Sequence, residues 1–182
     1  TLPSVVDVPR YMLKQQDADA PFRIGWIGSP VTAPYLDVIG NALNILSREA
    51  KIHIVLIGAG NSNPFPELPT TRLDWSEDQE LSIGETFDVG VMPLVDGPFE
   101  GGKCGYKLVQ YMAGGLPVIA SPVGINTQII TPGINGYLAA STDEWLESLR
   151  RLIDDRELRF KMGQMGRRRA EQMYNLRITA PK

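Results

Sequence analysis

Short apolar runs rich in isoleucine and valine recur along this chain, and the stretches between them carry helical spacing. Phe22–Gly28 (FRIGWIG), Lys51–Ile57 (KIHIVLI), Phe87–Leu94 (FDVGVMPL) and Pro117–Ala120 (PVIA) are nearly continuous in apolar residues rather than alternating. Continuous runs of this length read as strands covered on both faces, which is the habit of parallel sheets. A helix is expected from about Ala33 to Arg48, with Thr32 as its cap and Pro34 tolerated in the first turn. Tyr35, Ile39, Ala42 and Leu46 fall on one face of it. Strand, helix, strand across residues 22–57 is a βαβ unit.

The alternation continues. Arg72–Asp74 ends a short strand, and Ser76–Glu85 suits a helix capped by Ser76. Tyr106–Ala113 is a helix stopped by Gly114 and Gly115. Gly136–Ala139 reads as a strand. Ser141 and Glu144 form a capping box ahead of an apolar face of Trp145, Leu149 and Leu152. A last helix spans about Arg156–Tyr174. The expected architecture is a doubly wound, Rossmann-like parallel α/β sheet. Residues 1–21, with Pro3, Pro9 and Pro21 and a polar run over 14–19, read as a linker; the ordered domain is placed at 22–182.

Composition narrows the function. Hydrophobic residues at 43% and charged residues at 21% suit a globular domain. A net charge of −3 gives no general attraction to nucleic acid. Basic residues cluster late (Arg150, Arg151, Arg156, Arg159, Lys161, Arg167, Arg168, Arg169) among acids. A solvated helix face is the ordinary reading, and a weak membrane-surface contact is the alternative. Cys104 is the sole cysteine and His53 the sole histidine, which leaves no His/Cys metal cluster and no internal disulfide. His53 sits inside an apolar run, where a structural role is more common than a place in a catalytic triad. With no signal pattern and no apolar stretch of membrane-spanning length, the cytoplasm is the expected location.

In an open parallel sheet, ligands bind at the carboxyl ends of strands, where loops meet helix N-termini and favour phosphate. Three loops qualify. The first runs from Gly97 to Gly105, where Gly101, Gly102, Cys104 and Gly105 let backbone amides approach a phosphate. Lys103 and Lys107 lie four apart at the start of the next helix, placed to neutralise a diphosphate. The same loop nearly matches a P-loop, but Cys104 stands where a magnesium-binding hydroxyl belongs. The second loop, Gly28-Ser29-Pro30-Val31-Thr32, reads equally as a phosphate contact or an ordinary turn. The third, Gly58-Ala59-Gly60-Asn61, lacks the third glycine of a dinucleotide fingerprint and opens no helix directly. Trp75 follows a strand end; rim or core packing is the common use of such a residue, and stacking on a base is the functional one.

Residues 100–124, EGGKCGYKLVQYMAGGLPVIASPVG, carry a more specific signal. They resemble the donor-binding motif of the glycosyltransferase group 1 family, the GT4-type family of GT-B fold. The pattern is a glycine-rich turn, a helix, "A-M-A-x-G-x-P-V", then "A-S-x-x-G". It appears here as Gln110–Val118 and Ala120–Gly124, and the family's "N-G-x-L" step as Asn135-Gly136-Tyr137-Leu138. Val5–Pro9 looks like the stretch that connects the family's two domains.

The resemblance implies half of a two-domain enzyme. This half binds a nucleotide-diphosphate sugar, and a missing N-terminal domain holds the acceptor. It also implies retention of anomeric configuration and no required cofactor or metal. Two glutamates eight positions apart are common in the family; here they fall at Gly102, near Glu100, and at Gln110. On this reading Glu100 contacts the sugar, Gln110 the ribose, and Lys103 and Lys107 the diphosphate. The isolated fragment is expected to transfer nothing. The competing readings are a sugar-nucleotide epimerase of the same fold, a P-loop-like NTPase and a non-catalytic interaction domain.

Overall fold

A computed structural model describes residues 5–15, 21–97 and 104–179. Six strands form one sheet: β1 (Phe22–Ile27), β2 (Ile52–Ile57), β3 (Thr70–Leu73), β4 (Val89–Met92), β5 (Val118–Ala120) and β6 (Gly136–Leu138). Their spatial order is β3-β2-β1-β4-β5-β6, and every pairing is parallel. That is the order of the doubly wound Rossmann-like fold anticipated from the apolar runs.

Side chains alternate across the sheet. Ile24, Trp26, Ile54, Leu56 and Ile119 join one core layer, and Ile27, Val55, Ile57, Val118 and Ala120 the other. The first layer is closed by α1 (Gly40–Leu46) and α6 (Thr142–Asp154), which pack on each other. The second is closed by α4 (Tyr106–Ala113) and α7 (Arg156–Met173). Shorter helices are α2 (Glu77–Leu81), α3 (Ile83–Thr86), α5 (Asn126–Ile129) and α8 (Leu176–Thr179).

Local chemistry explains most boundaries. Ser76 Oγ accepts from the Gln79 amide, and the Ser141–Glu144 capping box is complete. Two expectations differ in detail. The long first helix begins as a 3-10 helix over Ala33–Ile39 before becoming α1. Thr32 does not cap it: the residue is αR, and its hydroxyl is taken by Ser29, donating to the Ser29 carbonyl at 3.1 Å. The Ser76–Glu85 helix divides at Ser82 into α2 and α3.

The late basic residues are largely committed within the domain. Arg150 forks onto Glu49, Arg151 pairs with Glu147, and Lys161 pairs with Glu157. Arg159 donates to the Leu152 carbonyl at the end of α6. His53 Nε2 lies 2.8 Å from the Thr71 hydroxyl, a cross-strand structural contact.

Residues 5–15 lie along the second layer. Val6 bridges to Asn175, and Val8 and Tyr11 are buried. The Met12 amide donates to Leu81 O and the Lys14 amide to Gly114 O. Lys14 Nζ also reaches Asp88 Oδ1 at 2.8 Å, beside Arg23 Nε at 3.1 Å from Oδ2. Burial pushes the Asp88 carboxyl up, but hydrogen bonds from Arg23, from Lys14 and from the Arg23 amide overcome it and leave it below the ordinary range.

Candidate functional site

The sheet reverses its winding direction between β1 and β4, and there the ladder opens. Their pairing runs through Ile24↔Val89 and Gly25↔Gly90. Beyond it, the Ile27 amide donates to the Tyr111 hydroxyl at 3.0 Å, and that hydroxyl donates to Val91 O at 3.2 Å. One side-chain oxygen from α4 therefore stands where a backbone ladder bond would be. Gly90 admits it, because a Cβ there would fall inside the Tyr111 ring. Burial pushes the Tyr111 phenol up, so it stays protonated and serves as both donor and acceptor. The strands part toward their carboxyl ends, and a switch point of this kind is where doubly wound sheets hold ligands in a crevice.

Two loops flank that crevice. One follows β1. Gly28 is half-buried, and its amide donates to Ile57 O at 2.9 Å. Ser29 is exposed; its amide donates to Thr32 Oγ1 at 3.2 Å and its carbonyl accepts from the Thr32 amide at 2.9 Å. The segment thus closes on itself as a tight turn. The other loop follows β4 and delivers the start of α4. Of its sequence-derived residues, Glu100, Gly101, Gly102 and Lys103 lie outside the described residues. Cys104 is exposed. Gly105 is the N-cap of α4 with φ +67, a conformation in which a side chain is strained.

Lys107 connects the two sides. Its ammonium lies 3.4 Å from Thr32 Oγ1 and 5.1 Å from the Trp26 ring centroid. A cation from α4 is thereby directed at the loop after β1. Gln110, one turn further along the helix, is only 3% exposed. Trp75 lies at the carboxyl end of β3 and is 57% exposed, so it is not core. Its indole N–H donates to Glu80 Oε2 at 3.3 Å.

The third motif step is structural. Ser121 Oγ accepts from the Leu94 amide at 2.9 Å, and Asn126 Nδ2 donates to Ser121 O at 3.0 Å. These bonds hold the ends of β4 and β5 together. Asn135 accepts from the Thr131 amide at 2.7 Å and donates to Ile129 O at 3.1 Å, which fixes the turn before β6.

Sequence reasoning missed Tyr111, whose hydroxyl spans the parted strands, and Glu80, which accepts from the Trp75 indole and from the Tyr11 hydroxyl. Glu80 was one of several acids on a short helix, and Tyr11 sat in a segment read as linker. Only the burial pattern around Tyr111, a polar-tipped ring on the apolar face of α4, could have pointed to a buried partner.

A parallel doubly wound sheet with a cation and a helix start at its switch point defines the Rossmann-like class of domain, which holds its ligands at that point. The family model for glycosyl transferases group 1 matches residues 21–155, and the chain belongs to that family. No curated protein matches it in sequence. Among solved structures, sucrose-phosphate synthase from Thermosynechococcus elongatus aligns with a TM-score of 0.70 at 16% identity, covering 98% of this chain and 49% of that one. The Anabaena protein HepE, in complex with UDP-glucose, aligns with a TM-score of 0.73 at 16% identity, covering 96% and 53%. The C-terminal domain of a group 1 glycosyltransferase, LpcC from Francisella tularensis, gives 0.67 at 21% identity, covering 94% and 99%. The chain therefore has the fold of one Rossmann-like half of a GT-B protein and spans about half the length of the first two.

Proposed function

We propose that the chain is the donor-binding half of a two-domain glycosyltransferase. The intact protein would move a sugar from a nucleotide-diphosphate sugar to an acceptor held by a second domain. The observation that carries this reading is Lys107, which reaches from α4 across the switch-point crevice to the loop after β1. A donor diphosphate set there meets an ammonium and the start of a helix, both of which favour anionic oxygen. The same groups stabilise the nucleoside diphosphate as charge develops on the leaving oxygen. Lys103, four residues earlier in sequence, adds a second cation, so the site needs no metal. Glu100 is assigned to the sugar and Gln110 to the ribose end. Transfer proceeds with retention. HepE was solved with UDP-glucose, which makes a uridine donor the first to try.

Alanine at both Lys103 and Lys107 should abolish nucleotide binding while the thermal melt stays cooperative. Affinity that survives the double substitution would remove the diphosphate assignment. Sugar transfer by the intact protein from a nucleotide-diphosphate sugar, unaffected by EDTA, separates this reading from an NTPase, and product analysis separates it from an epimerase.

A further inference from the structure

Glu80 collects three donors from three parts of the chain. The Tyr11 hydroxyl donates to Oε1 at 2.6 Å, the Trp75 indole to Oε2 at 3.3 Å, and the Tyr106 hydroxyl reaches Oε1 at 3.5 Å. The residues on either side of Tyr11 tie the same short helix: Arg10 pairs with Glu77 at 2.7 Å, and the Met12 amide donates to Leu81 O at 2.8 Å. Arg10, Tyr11 and Met12 thus tie Glu77, Glu80 and Leu81 of α2 to the amino-terminal segment. Tyr11 is buried, whereas Trp75 and Tyr106 are exposed at 57% and 40%.

We infer that Glu80 is a positioning residue for the nucleoside end of the donor site, with Tyr11 holding its carboxylate in place. The inference rests on the donor-binding function proposed above. An exposed indole ordinarily samples several rotamers, and stacking a base on it requires ordering it first. Here the indole N–H is held by a carboxylate, and the carboxylate is held by a short charge-assisted bond from a buried phenol. Trp75 is therefore presented in a fixed orientation beside the crevice. The ring remains available to a planar base, because its polar edge, not its face, is engaged. Glu80 acts through Trp75 rather than on the reacting atoms.

The other two tryptophans, Trp26 and Trp145, are buried, so fast local depolarisation and solute quenching report on Trp75. Time-resolved emission anisotropy of the E80A and Y11F variants should show a fast indole rotation that the unaltered protein lacks. E80Q, which keeps one acceptor oxygen, should show less of it. An indole equally fixed in E80A would overturn the inference. Nucleotide affinity should fall about tenfold in E80A, the scale of one charged hydrogen bond lost from an ordered site. It should fall no further when E80A is added to W75A. An E80A effect of the same size in the W75A background would also overturn it, since Glu80 would then touch the ligand directly. Failure of the intact protein to bind any nucleotide would sink the donor-binding function instead, and the anisotropy comparison, which needs no ligand, tells the two failures apart.

Discussion

Replacing Tyr111 by phenylalanine removes one oxygen atom and leaves the ring, its packing and Gly90 beneath it unchanged. That oxygen accepts from the Ile27 amide at 3.0 Å and donates to Val91 O at 3.2 Å, both in the buried centre of the sheet. Without it, a donor on β1 and an acceptor on β4 face each other across a gap with no partner. A buried polar backbone group left unsatisfied costs about 1–3 kcal/mol. Part of this is recovered because the hydroxyl itself no longer has to be desolvated. The expected net loss is about 2–3 kcal/mol, which for a domain of this size lowers Tm by about 5–10 °C. Urea unfolding measures it, with the midpoint falling and the m-value unchanged. Hydrogen exchange at the Ile27 amide should accelerate more than at Gly25, where β1 and β4 are paired. A loss under about 0.5 kcal/mol would refute the idea that one side-chain oxygen spans the opened ladder.

Asp88 supplies a second test. Asp88→Asn leaves Lys14 and Arg23 without their shared carboxylate and should cost about 3 kcal/mol, read by denaturant unfolding. Because the folded-state pKa of Asp88 is depressed, its contribution is present above the unfolded-state aspartate range and is lost as pH falls through the folded value. The asparagine variant should therefore show a flatter stability profile on the acid side than the parent; parallel profiles would contradict the linkage. Gly105→Ala forces a side chain into φ +67 against Ile129, which should cost at least about 1–2 kcal/mol in Tm measurements. The same change should weaken nucleotide binding, since Gly105 opens α4 at the crevice. An alanine variant of parental stability would show that the turn does not need glycine.

The fold was legible because its signals are local. Continuous apolar runs mark strands buried on both faces, and the Ser76 and Ser141 caps mark helix starts whose partners lie three residues away. The first helix was less so. Thr32 had two local options, and its bond to Ser29 competed successfully with capping. The site is partly legible for the same reason. Lys107 and Trp75 stand out in sequence by their place near strand ends, and the structure puts Lys107 against Thr32 and leaves Trp75 exposed, whereas residues 98–103 of the glycine-rich turn lie outside the described residues. Tyr111 and Glu80 were not recognisable, because what gives them a role lies far away in sequence. Ile27 is 84 residues from Tyr111, and Tyr11 is 69 residues from Glu80. No periodicity within α4 or α2 encodes such a partner. Asn135 shows the reverse case: a family motif residue whose visible role is to fix a turn.

Calorimetric titration of the protein with UDP-glucose, and with GDP and ADP sugars alongside, each with and without EDTA, addresses the central claim most directly. The account predicts saturable binding of one donor, unchanged by the chelator and lost on replacing Lys103 and Lys107. Absence of binding to all of them by the intact protein, or binding that requires a divalent metal, would contradict it.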